Sequence, residues 1–237
     1  MATGAAATAR IAQATEALSA KVFRAARTLR EAGKDLWPEA GKGGGRVAAH
    51  VERRHLTNLA IALAVDEPLL AVKFIPVYRD LVADKPDQHA LNQESGQAAS
   101  VLAMNDLFNG KRRLGHELER LLDVLPKGGV ADALENAGLY FDFFIEQRVP
   151  RVVVGFHVFD PPDDLTKPEI RWLYRRANLS PDRAFDPDFN FLPRMIITRT
   201  ALLPVSLFTL MAELWVDTQQ HHARITARRT TAALIKE

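Results

Sequence analysis

The side chains best suited to hold a ligand in this chain are basic, and they are concentrated early. Lys21, Arg24 and Arg27 recur at three-residue steps with Arg30 next in the series, and on a helix that spacing gathers long cationic donors along one side. Gly41-Lys42-Gly43-Gly44-Gly45-Arg46 follows, and then His50, Arg53 and Arg54. Phosphate recognition needs donors on several converging elements, and the N–H groups of glycine turns and helix N-termini supply them alongside Arg and Lys. The expected chemistry is reversible binding of a polyanion. Lys21, Arg24, Arg27, Lys42, Arg46, His50, Arg53 and Arg54 are the expected contacts, with close backbone approach at Gly43, Gly44 and Gly45. The plain alternative for the same residues is an ordinary solvated helix face followed by an ordinary turn.

Charge along the chain favours the first reading. Residues 1–60 carry ten Lys/Arg against five Asp/Glu, residues 61–170 eleven against eighteen, and residues 171–237 ten against six, although the whole chain is only +2. A basic end joined to an acidic middle has a preferred side for a polyanion, which the total alone does not reveal.

Other chemistries lack the residues they need. The glycine run has neither the spacing nor the terminal Lys-Ser/Thr of a P-loop, and no apolar strand precedes it as a dinucleotide fingerprint requires. Adjacent His221 and His222, with His157 also in view, invite a metal, but neighbours on a helix point about 100° apart. His116-Glu117 is not the start of HExxH, because position 120 is Arg. The aspartates at 160, 163, 164, 182, 186 and 188 are interleaved with proline and read as turn formers. With no cysteine and no Gly-x-Ser-x-Gly, no nucleophile constellation is present, so neither catalytic nor metal-binding residues nor a cofactor are expected.

The elements that must position the basic residues can be read from periodicity. Leu18, Val22, Ala25, Ala26 and Leu29 predict a helix over 14–32 ending at Gly33. The Ala-rich stretch before it reads as a frayed tail. Val47 to Val51 reads as a short extended stretch, and helices are predicted at 52–65, 68–83, 103–125 and 131–146, with Pro76 expected to kink the second of these. The last of them carries Leu139, Tyr140, Phe141, Phe143, Phe144 and Ile145, which must bury in a core or, as the sharper alternative, in a dimer interface. Period-two alternation over 151–159 predicts a strand, with a second at 191–200, a short helix at 168–177 and a longer one at 204–220. The polar segment 84–100 reads as a boundary.

The order of basic helix, Gly/Arg turn and second helix over residues 15–65 resembles the winged helix-turn-helix of MerR-type regulators. The chain as a whole is similar to regulators carried by prophages and mobile elements of high-GC proteobacteria. The expectation is an α+β protein. A helical, winged-helix-like DNA-binding domain at 1–85 and a linker at 86–100 precede an oligomerisation or interaction domain at 101–237, in which a small sheet packs on helices. The expected activity is non-enzymatic, sequence-specific transcriptional regulation on double-stranded DNA, as a homo-oligomer in the cytoplasm without membrane contact. Other transcription proteins are further candidate partners. In that scheme the helix bearing Lys21, Arg24 and Arg27 reads base edges, and the glycine turn brings Lys42 and Arg46 to phosphates. The alternative function is a protein-interaction or structural module of a phage-like element.

Overall fold

The computed structural model describes residues 3–38, 50–65, 67–83, 107–108, 112–136, 138–145, 150–157, 169–175 and 199–234. Over these the chain is α+β and mostly helical. Its elements run α1 (Gly4–Ala14), α2 (Ser19–Ala32), α3 (Arg53–Val65), α4 (Pro68–Arg79), β1 (Val82–Ala83), α5 (Leu114–Val124), α6 (Val130–Asn136), β2 (Tyr140–Ile145), β3 (Arg151–His157), β4 (Glu169–Arg175), β5 (Arg199–Pro204) and α7 (Val205–Leu234). The Gly41–Arg46 turn expected as a wing and the linker expected at 86–100 lie outside the described residues.

The stretch expected to fray is helical. Thr3 caps α1 by accepting the Ala6 N–H at 3.3 Å, alanine has the strongest helix propensity, and Ala7, Ile11 and Ala12 are buried at helical spacing. Small apolar side chains suffice here because α1 packs closely on α2. A 3-10 turn at Glu16–Leu18 separates the two, so the predicted helix 14–32 begins only at Ser19. It ends as expected at Gly33, whose φ of 150° favours glycine.

The central helix is α3, buried continuously from His55 to Val65. Its polar first turns close off the chain that leaves α2. Glu52 N–H donates to His55 Nδ1 at 3.0 Å, which leaves Nε2–H to donate to Lys34 O at 3.0 Å, and Asn58 Nδ2 donates to Leu36 O at 3.3 Å. On the opposite side Arg79 of α4 donates to Thr57 Oγ1 at 2.8 Å and Asn58 Oδ1 at 3.1 Å, and pairs with Glu119 of α5. Each buried polar group on α3 thus has partners, as burial requires.

One antiparallel sheet, in the order β1-β4-β3-β2-β5, covers this helical layer. The aromatic run expected as a helix over 131–146 instead divides into α6 and β2. Apolar residues around most of a helix and apolar residues on a buried strand look alike in sequence. In β2 the side chains alternate: Phe141 and Phe143 are buried while Tyr140 and Asp142 are half-buried. Phe143 is in register with Val152, and Val152 with Tyr174, which makes one buried row across three strands. Gly155 lies opposite Tyr140, where an added Cβ would sit 2.5 Å from the phenol ring.

Four further expectations shift. The helix expected at 168–177 is strand β4, whose Tyr174 enters the buried row. The strand expected at 191–200 is described only as β5 from Arg199, and the closing helix extends to Leu234 rather than Gln220. The helix expected at 68–83 stops at Arg79, after which Val82 and Ala83 pair with β4. The buried cluster is continuous from Ala7 to Leu214 and includes residues on both sides of position 85. No helix among the described residues is long and apolar enough to cross a membrane.

Candidate nucleic-acid interface

Helix α2 sorts its residues into two faces. Val22, Ala25, Ala26 and Leu29 are buried against α1, α3 and α4, while Phe23, Arg24, Arg27 and Arg30 are exposed. The three arginines span about 9 Å along the axis at 1.5 Å per residue. Arg27 Nε donates to Glu31 Oε1 at 2.8 Å across one helical turn, with both side chains well exposed. Such a surface pair holds its arginine weakly and yields readily to a phosphate. Lys21, one turn before Arg24, is half-buried and has contacts of its own. Phe23 remains 52% exposed beside the arginines.

The other expected contacts do not gather on this face. Arg53 is half-buried and already engaged: its guanidinium pairs with Asp123 of α5 and lies 5.5 Å from the centre of the Trp215 ring on α7, and Trp215 Nε1 donates to the same carboxylate at 2.9 Å. This arginine joins three helices and is committed to structure. Arg54 is exposed in the first turn of α3. Lys42, Gly43, Gly44, Gly45 and Arg46 lie outside the described residues, as do the aspartates from 160 to 188.

His50 is placed in company that the sequence did not suggest. It bridges to Thr3, and its ring centre is 5.3 Å from that of His221 and 4.9 Å from that of His222. The adjacent histidines of α7, whose own ring centres are 6.3 Å apart, thus face a third imidazole from the segment before α3. Among the described residues no group of three His, Asp or Glu is placed to hold a metal ion. Burial first, then the neighbouring His222 and His221, hold the His50 imidazole below its ordinary range. Its folded pKa is therefore below the unfolded one, so the folded state resists the proton that the unfolded state accepts. Its contribution to stability is complete above about pH 6.5 and is lost as pH falls below that value. On acidification from pH 7.5 to 5.5, a His50→Gln variant is expected to lose less of its melting temperature than the parent chain; equal losses would show that folding does not lower the His50 pKa.

A second group escaped the sequence reading. Glu117 of α5 is fully buried, neither carboxylate oxygen has a hydrogen bond among the described residues, and the Arg120 guanidinium is 3.9 Å away. Burial, partly offset by Arg112, raises its pKa to about 7. Among the described residues the Tyr174 hydroxyl of β4 is also buried without a hydrogen bond, and burial followed by the charge of Glu117 raises its pKa. A signal was available: Glu117 occupies a core position in the stripe Leu114, Leu118, Leu121, Leu122.

Compared with protein-family models, with curated proteins and with solved structures, the chain matches none.

Proposed function

We propose that the chain is a non-catalytic regulator that binds double-stranded DNA through the exposed face of α2. The observation that carries this reading is the grouping of Arg24, Arg27 and Arg30 on one solvent-facing side of a single helix, within a segment of net positive charge. Helix α2 is the second of two packed helices joined by a short turn, the position occupied by the reading helix in helix-turn-helix proteins. Long guanidinium side chains on such a helix serve both phosphate oxygens and guanine edges. Arg53 has no part in the interface, because releasing it would cost its ion pair with Asp123 and its place over the Trp215 ring.

Fluorescence anisotropy with a labelled duplex of about 20 bp tests the assignment. Replacing Arg24, Arg27 and Arg30 together by Gln is expected to weaken binding by at least about tenfold at low salt, whereas Arg53→Gln leaves it within about twofold. Equal weakening by the two variants, or none by either, refutes the α2 interface and favours a protein-interaction module.

A further inference from the structure

Beside the arginine face, α1 and α2 enclose a cleft of about 320 Å3, within the size range of small-molecule sites. Its buried surface includes Gly4, Ala26 and Trp37, and its exposed rim includes Phe23, Arg27 and Arg30. The space depends on Gly4, where an added Cβ would lie 3.1 Å from the Pro38 ring and 3.2 Å from Trp37 Nε1. The polar groups of the lining are mismatched in kind. The Thr8 hydroxyl is already spent on Gly4 O at 2.7 Å, the Trp37 indole N–H has no hydrogen bond among the described residues, and Arg30 has no ion pair among them. Among the described residues no carboxylate lines the cleft. The unpaired groups among these are therefore donors, the Trp37 N–H and the Arg30 guanidinium, with Arg27 held only by its exposed pair to Glu31, over an apolar and aromatic floor.

We infer that this cleft is a binding site for a small aromatic carboxylic acid, its ring system against Phe23 and Trp37 and its carboxylate on Arg27 and Arg30. Aromatic surface gains from burial beside the indole, and a guanidinium pair favours a carboxylate geometrically as well as electrostatically. The weak exposed pair of Arg27 with Glu31 costs little to exchange for the ligand's carboxylate. The inference goes beyond the nucleic-acid reading and does not depend on it.

Isothermal titration of the full chain with 2-naphthoate, and with the neutral 2-naphthamide as its counterpart, tests the site in the absence of nucleic acid. Naphthoate is expected to bind at one site per chain, the amide at least about tenfold more weakly, and Arg27→Gln/Arg30→Gln is expected to weaken naphthoate by a similar factor. Ala5→Phe fills the cleft from an exposed position on α1 without altering charge, and is expected to abolish binding while circular dichroism stays unchanged. No binding of naphthoate at millimolar concentration, equal binding of acid and amide, or undiminished binding to Ala5→Phe overturns the proposal. Because the titration contains no duplex, its failure and that of the DNA assay are separately visible.

Discussion

Phe141→Ala is expected to lower the free energy of unfolding by about 3–5 kcal/mol, the usual cost of removing a fully buried phenylalanine. Phe141 lies on β2 at the centre of the contact between the sheet and the helical layer. Its ring centre is 4.5 Å from that of Phe208 on α7 and 6.0 Å from that of Phe108, and Phe108 in turn lies 6.2 Å from Tyr174 on β4. All four rings are fully buried, so truncating one opens a cavity that the others cannot fill without moving strands. Tyr140, at the same strand's other parity, is only half-buried, and Tyr140→Ala should cost less. Chemical denaturation of the two variants measures the difference. A loss below about 1 kcal/mol for Phe141→Ala would contradict the placement of the run as a strand with Phe141 inward.

Glu117→Gln is expected to stabilise the protein, and only on the alkaline side. The folded-state pKa of about 7 lies above the ordinary 4.5, so the folded state keeps a proton that the unfolded state gives up. The group's contribution is therefore most favourable below about pH 4.5 and declines as pH rises through 7, where the buried carboxyl must ionise beside the Tyr174 hydroxyl. The amide stays neutral throughout. At pH 8 the variant should gain on the order of 2–3 kcal/mol, or about 5–10 °C in melting temperature, and the gain should nearly vanish at pH 5. A constant difference across that range would mean that Glu117 does not change protonation on unfolding.

Legibility in the sequence followed the strength of local pattern. Helix α2, with Val22, Ala25, Ala26 and Leu29 inward and Gly33 as its stop, was readable because one amphipathic period and one conformational requirement coincide. Strand β3 was readable from the alternation of Val152 and Val154 with Val153 and Gly155. The run from Tyr140 to Ile145 was not, since a strand packed on a helical layer and lined by further aromatics loses the polar half of its alternation. Helix α1 was hidden for the opposite reason: of its buried residues Gly4, Ala7, Thr8, Ile11 and Ala12 all but Ile11 are small, and their burial reflects close approach to α2 rather than hydrophobicity.

The candidate site shows the same division. Exposure of Arg24, Arg27 and Arg30 follows from the helical period, so local sequence reveals it. The capture of Arg53 by Asp123 and Trp215, and the meeting of His50 with His221 and His222, join residues 70 or more positions apart. No local period carries that information. Basic residues close together in the chain were thereby taken for one surface, when the fold assigns Arg53 to a helix junction and His50 to a contact with α7.

The most direct measurement of the α2 interface is the salt dependence of duplex binding, because each phosphate contact releases counterions and sets the slope of log K against log of salt concentration at about −0.9 per contact. Titrations across roughly 50 to 300 mM NaCl should give a slope shallower by about 3 when Arg24, Arg27 and Arg30 are all replaced by Gln, and an unchanged slope for Arg53→Gln. A triple variant whose slope equals that of the parent chain would contradict the account, since it would mean that the exposed face of α2 touches no phosphate.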